Sequence, residues 1–246
     1  MGTKLSTKFF FILVYLLIAL ICLYLFIHSA FFQIDKISVT GLNILTQEEI
    51  VNLSEIDNGM NIFQLNEQVC AKAIETHPLV RQAKIIRHLP REIEIEVEER
   101  QLWAIISYDD TFLAVDGEGV CIDKLSTLRT TERPIITIDV MPEQVYIGQA
   151  IQTEGIDLVR RIWENMADDK KAKVSDFHLI SATGEVLLYT IAGTEIRFGN
   201  SERFSEKMEY LNQIFLIEED FLEAGENVLD YVDLKYKGQP VLKTRV

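Results

Sequence analysis

One stretch constrains this chain before anything else: from Phe9 to Ile27 it reads FFFILVYLLIALICLYLFI, 19 residues without a charge. As a helix rising about 1.5 Å per residue it covers roughly 28 Å, close to the thickness of a bilayer's hydrocarbon core. A cleavable signal peptide shares the charged start and apolar middle, but its apolar run usually spans about 7 to 15 residues and ends at a small-x-small site. His28, Ser29 and Ala30 make a poor site of that kind. The sequence therefore favours an uncleaved anchor over 9–30, preceded by a short segment 1–8. Lys4 and Lys8 precede the run and Asp35 is the first charge after it. By the positive-inside tendency the N-terminus lies in the cytoplasm and everything after the span lies outside it.

The body beyond the span has a strongly acidic balance. The chain carries 38 acidic against 24 basic residues, a net charge of −14, and two of the basic residues stand ahead of the span. Such a surface repels polyanions, which excludes nucleic acid as the main partner, because affinity for it rests on Lys and Arg neutralising phosphates. With 48% hydrophobic residues the chain is too apolar to be disordered. Cys22, Cys70 and Cys121 contain no C-x-x-C pair and form no disulfide framework. Cys70 and Cys121 sit in apolar settings, where a buried free thiol is the default over a disulfide between them.

Hydrophobic periodicity orders the segments. Phe32 to Val39 alternates, with a slip at Asp35 and Lys36, and ends at Gly41, as a strand does at a turn. Thr46 with Glu49 is a capping box, and Leu45 and Ile50 occupy the hydrophobic-staple places, so a helix starts there and stops at Asp57, Asn58 and Gly59. A second helix is expected from Asn66, burying Val69, Cys70, Ala73 and Ile74 and ending before Pro78. Two strands follow, Leu79 to Arg87 and Glu92 to Glu98, the latter with Ile93, Ile95 and Val97 on one face and glutamates on the other. The order is β-α-α-β-β.

From Leu102 the texture changes to short strands broken by turn signals at Asp109-Asp110, Asp116-Gly117, Thr183-Gly184 and Ala192-Gly193. This pattern predicts a mostly antiparallel sheet interrupted by two helices. One is capped by Thr153 and buries Ile156, Val159, Ile162 and Met166; the other is capped by Ser201 and buries Phe204, Met208, Leu211 and Phe215. A final strand is expected over Asp230 to Tyr236. The fold class is α+β.

Catalysis needs a nucleophile with its base, a carboxylate pair or a metal cluster. His28, His77, His88 and His178 fall at no H-E-x-x-H or H-x-x-x-H spacing, and each reads as a surface or turn histidine. Asp109-Asp110 and Asp116 with Glu118 suit a calcium loop on paper, yet acids at hairpin turns are what turn chemistry favours. Glu92, Glu94, Glu96 and Glu98 read as the solvated face of a strand. No cofactor, metal or small-molecule site is signalled. The competing class is a membrane-anchored, peptidoglycan-processing envelope enzyme whose catalytic residues carry no legible motif.

An ordered combination of segments remains: the anchor, then FFQIDKISVTG, then HPLVRQAKIIRHLPREIEIEVEERQ, then Val115-Asp116-x-x-Gly119, and a closing YVDLKYKG. In that order it resembles the FtsQ/DivIB family of bacterial cell-division proteins, departing from it in carrying Lys235 where Arg is frequent. The resemblance implies a polypeptide-transport-associated (POTRA) domain over 31–101 and a β domain over 102–246. It implies a non-catalytic scaffold in the cytoplasmic membrane at the division septum. Its partners would be FtsB/DivIC-like and FtsL-like proteins, with further division proteins reached through the POTRA domain. The resemblance also implies a partner-binding closing strand, with Tyr231, Val232, Leu234, Tyr236, Lys237 and Gly238 as its residues. An edge strand offers unpaired N–H and C=O groups that an incoming segment extends as one more strand.

Overall fold

Helix α1 spans Thr7–Ile27 and is the one element among the described residues long and apolar enough to cross a membrane. The computed structural model describes residues 7–128, 132–151, 153–225 and 229–244. Lys4 lies outside them, as do the side chains of Lys8 and Thr153, on which the topology and capping expectations rested. The chain divides into two compact units, Met1–Glu99 and Arg100–Val246.

In the first unit a 3-10 turn at Ala30–Phe32, capped by Ser29, precedes strand β1, Lys36–Thr40. The strand expected from Phe32 thus begins four residues later, at the slip itself, with Lys36 its first residue. Ile34 is nevertheless buried, held by backbone bonds to Met60 and Gly59. Helix α2, Gln47–Ser54, carries the complete capping box: Thr46 accepts from Glu49 N–H, and Glu49 Oε2 accepts from Thr46 N–H at 2.8 Å. It ends at Glu55, in left-handed geometry, ahead of the expected stop. Helix α3, Glu67–Ile74, is capped by Asn66 and buries Ile74, with Cys70 and Ala71 half-buried beside it. Val69, expected in the core, is exposed because it lies one position off that stripe.

Strands β2, Val80–His88, and β3, Glu92–Glu99, complete a three-stranded sheet in the order β1-β3-β2, with β3 parallel to β1 and antiparallel to β2. Ile93, Ile95 and Val97 face the core. The glutamate face is not simply solvated: Glu92, Glu94, Glu96 and Glu98 pair with Lys36, His88, Lys84 and Arg81. Exposed pairs of this kind are worth about 0–1 kcal/mol each, so the stripe sets register and solubility more than stability.

Glu99 behaves differently. It is buried, and its carboxylate accepts the N–H groups of Asn43, Ile44 and Leu45 at 2.8–3.1 Å. Burial pushes this carboxyl up, but the three N–H donors together outweigh it and hold its pKa below the usual glutamate value. A depressed folded pKa means the stabilisation is fully present above the unfolded value of about 4.3 and is lost as pH falls through the folded one. Denaturant titrations should therefore show the first unit weakening below about pH 4.3. Glu99→Gln should flatten that dependence and cost about 1.5–3 kcal/mol at neutral pH, the range for hydrogen bonds to a charged group.

The second unit holds a nine-stranded sheet in the order β12-β11-β10-β9-β8-β7-β4-β5-β6. Its strands are β4 Ala104–Tyr108, β5 Thr111–Val115, β6 Cys121–Leu125, β7 Ile135–Ile138, β8 Val174–Ile180, β9 Glu185–Thr190, β10 Glu195–Gly199, β11 Leu229–Asp233 and β12 Val241–Thr244. Five of its eight pairings are antiparallel, so the mostly antiparallel expectation holds. Each of the four turn signals falls between antiparallel strands: β4–β5, β5–β6, β8–β9 and β9–β10. Helices α4, Thr153–Glu164, and α6, Phe204–Glu223, bury the expected stripes, among them Ile156, Val159, Ile162, Leu211 and Phe215; Phe204 packs half-buried at the edge of that core. A short third helix, α5, Asp168–Lys171, was not foreseen. The start of α6 is also displaced: Ser201 does not cap it, and Arg203 in left-handed geometry stands at its N-cap.

Candidate functional site

The closing segment is not the single edge strand expected from the sequence. Strand β11 stops at Asp233, and residues 234–240 form a loop that returns the chain as β12, antiparallel to β11. β11 is therefore flanked on both sides, by β10 in parallel and by β12, and the free edge of the sheet belongs to β12.

This topology separates the six residues singled out by the resemblance. Val232 and Leu234 are core residues, buried with Leu229 and Phe198. Tyr231 lies half-buried on the sheet, with the Arg197 guanidinium 4.1 Å and Lys243 Nζ 5.6 Å from its ring centre. Tyr236, Lys237 and Gly238 are exposed and sit in the loop, outside any ladder. Gly238 has φ +114, a conformation that favours glycine, which is why the chain reverses there.

The loop is held from a distance. Arg203 Nη2 donates to the carbonyls of Leu234, Lys235 and Tyr236 at 3.1, 3.1 and 2.7 Å. Lys207, one turn further along α6 and fully buried, donates to Asn200 O at 2.9 Å with its ammonium over the Phe198 ring. Burial pulls the Lys207 pKa down. The N-terminal turn of α6 thus fixes where β11 ends and Tyr236 emerges. Asp233 Oδ1 accepts Lys235 N–H at 2.8 Å and tightens the same corner.

β12 itself is exposed along its whole length, and Val241 and Leu242 are each 51% exposed. Successive strand residues point to opposite faces, so neither face of β12 is covered. Sequence reasoning missed this element; the available signal was Gly238-Gln239-Pro240, a turn cluster ahead of Val241-Leu242. Its register follows from one bond. Leu234 N–H donates to Arg197 O on β10, which places the groups of Val232 on the β10 side and those of Tyr231 and Asp233 on the β12 side. Tyr231 faces Lys243, Asp233 faces Val241 and Val232 faces Leu242. The N–H and C=O of Leu242 therefore point away from the sheet, at the free edge. Lys243 Nζ is hydrogen-bonded to Asp230 at 2.8 Å, which raises its pKa and keeps a fixed cation on the strand.

At the opposite edge, β6 is partly covered: Cys121 N–H donates to Gln149 O, and Cys121 O accepts from Gly148 N–H. Elsewhere the chemistry is self-contained. A shallow depression beside β10 is lined by Glu185, Leu187, Glu195, Arg197 and Lys235. Its charges pair with one another, Lys235 with Glu185 and Arg197 with Glu195. His178 Nδ1 lies 2.8 Å from Thr137 Oγ1, a nucleophile–base distance, while Asp139 Oδ1 accepts from Val140 N–H and Ser181. Among the described residues no group of three His, Cys, Asp or Glu side chains could hold a metal ion.

Comparison with known proteins matches the geometry. Residues 32–100 fit the model of the FtsQ-type POTRA domain, and residues 104–235 fit the model of the C-terminal domain of cell division protein FtsQ/DivIB. The second match ends before β12. The chain is 26% identical to cell division protein FtsQ of Geotalea daltonii, over 87% of this chain and 77% of that protein. It is 26% identical to cell division protein DivIB of Clostridium tetani, over 92% and 84%. It is 34% identical to DivIB of Bacillus subtilis, over 44% and 41%. With both domain models accounting for nearly everything beyond α1, the chain belongs to the FtsQ/DivIB family of cell division proteins.

Proposed function

We propose that this protein is a non-catalytic, single-pass scaffold of the division machinery that captures FtsB/DivIC-like and FtsL-like partners by strand addition to β12. In this reading residues 1–8 are cytoplasmic and 9–30 cross the cytoplasmic membrane. The POTRA domain, 31–101, and the β domain, 102–246, then lie outside it at the septum, and the POTRA domain contacts further division proteins.

The observation that carries the proposal is the uncovered edge. Soluble proteins normally blunt such a strand, and this one has Pro240 ahead of it and Lys243 within it, yet presents Val241 and Leu242 to solvent. Backbone groups at the edge supply affinity, and the flanking side chains supply selection. Tyr236 is 69% exposed in the loop that joins β11 to β12, where Arg203 holds its carbonyl, and offers an aromatic anchor to a partner on that edge. Tyr236→Ala should weaken partner capture by about 2 kcal/mol, a typical value for such an anchor, with no loss of fold. Binding of purified FtsB/DivIC-like and FtsL-like proteins to the full chain measures this. Capture at unchanged affinity would remove Tyr236 from the site.

The enzyme reading rests on the Thr137–His178 contact. Hydrolysis of peptidoglycan by the purified chain, abolished by Thr137→Ala, would establish it in place of the scaffold.

A further inference from the structure

We propose that the α1-proximal end of the first unit is a lipid-binding seat, an apolar surface that rests in the headgroup–acyl boundary of the membrane α1 crosses. The proposal takes the membrane-anchored reading of α1 as its starting point. Three chain segments meet at this end: the 3-10 turn at Ala30–Phe32, the connection from α2 to α3, and the turn from β2 to β3. Each presents an apolar side chain to solvent: Phe31 at 54%, Met60 at 38%, Phe63 at 42% and Leu89 at 59%.

Phe31, Phe63 and Leu89 form one strip that continues α1, with Met60 in the same loop as Phe63. Phe26, in the last turn of α1, stacks on Phe31 with ring centres 5.7 Å apart. Phe31 meets Phe32 edge-on at 5.0 Å, and Phe32 meets Phe63 at 5.0 Å. Phe63 and Leu89 then line the same open depression.

Two observations make the membrane the occupant. The first is distance. Only His28 and Ser29 separate α1 from the 3-10 turn, and both still donate backbone bonds to α1, to Tyr24 O and Phe26 O. Asn61 Nδ2 donates to Ile27 O at 2.7 Å, and Gln33 bridges to Asn61, so the loop bearing Met60 and Phe63 is fastened to the last turn of α1. If α1 spans the bilayer, no slack remains to lift this end out of the interface, which extends roughly 5–8 Å beyond the hydrocarbon on each side.

The second is charge. The basic side chains at this end pair within the protein, Lys36 with Glu92, Arg91 with Asp35, Arg87 with Glu67 and Lys84 with Glu96, while Asp57 beside Met60 enters no ion pair among the described residues. The chain as a whole is acidic. The seat is therefore apolar and indifferent to anionic lipid, unlike a basic membrane-binding patch.

The test uses the unmodified full chain in nanodiscs with a lipid-soluble diazirine probe, read by mass spectrometry. Segments 31–33, 60–63 and 88–90 should be labelled together with α1, equally in zwitterionic and in anionic bilayers. Residues 71–77, at the other end of the unit, should stay unlabelled. Labelling of α1 alone overturns the seat and leaves the anchor standing; absence of label from α1 overturns the anchor itself. A second copy or another protein covering the strip would also give label in α1 alone. In Phe31→Ser/Phe63→Ser, label in 88–90 should be lost; undiminished label there would show that the strip does not act as one surface.

Discussion

Replacing Leu242 with proline is expected to abolish capture of FtsB/DivIC-like and FtsL-like partners while leaving the second unit folded. The register gives this substitution its selectivity. Leu242 N–H points away from β11, so its loss breaks no bond of the β11–β12 ladder, whereas Lys243 and Val241 face Tyr231 and Asp233. Proline at 242 therefore removes one donor from the edge that an added strand would use, and its ring occupies the space where that strand would lie. Proline at Lys243 should instead detach β12 itself and expose Val232. An interface built on main-chain pairing loses a central bond and its neighbours' alignment together, an effect of about 3 kcal/mol or more, beyond a hundredfold in affinity. Leu242→Ala keeps the N–H and should cost far less. The measurement is equilibrium binding of purified partners to the full-length variants, with tryptophan emission as a fold control because Trp103 and Trp163 both lie in the second unit. Wild-type affinity in a folded Leu242→Pro variant would place the partner on another surface.

What the sequence revealed and what it hid divide along the range of the interactions. The Thr46–Glu49 capping box and the Ile93, Ile95, Val97 alternation are local signals, and each element formed where its signal stood. The closing strand looked equally clear, because Val232, Leu234 and Tyr236 alternate with Tyr231, Asp233 and Lys235. The alternation fails after Leu234 because Arg203, about thirty residues earlier, grips three successive carbonyls and bends the chain out of the sheet. A side chain that reaches across a helix and a strand leaves no periodic trace. β12 escaped for a different reason: four residues are too few to show a period, and a proline directly ahead of them, Pro240, disfavours a ladder position there. The sequence thus placed the candidate residues in this closing segment without revealing that a second strand, β12, returns beside β11 and takes the free edge. The family resemblance supplied the region, and only the topology could say which backbone was free.

Gly41→Ala should destabilise the first unit by roughly 2–5 kcal/mol, the sum of a left-handed backbone cost and a steric one. Gly41 has φ +84 at the end of β1, and a Cβ there would lie 2.0 Å from Val97 O. That oxygen belongs to the backbone of β3, the central strand of the three-stranded sheet, and cannot swing aside as a side chain would. Gly59 supplies the control. It also has positive φ, at +93, but nothing lies within 4 Å of the corresponding Cβ, so Gly59→Ala should cost only the backbone part, about 1–2 kcal/mol. The difference between the variants isolates the clash. Far-UV circular dichroism during heating reads both units, while tryptophan emission reads only the second. In Gly41→Ala a dichroism transition should move to lower temperature by roughly 4–8 °C for each kcal/mol lost, as in domains of 60–100 residues, with the emission transition in place. Equal shifts in the two variants would mean that β3 yields to the added methyl. A joint shift of both signals would mean that the two units unfold as one, and that damage to the POTRA domain reaches β12 through stability rather than contact.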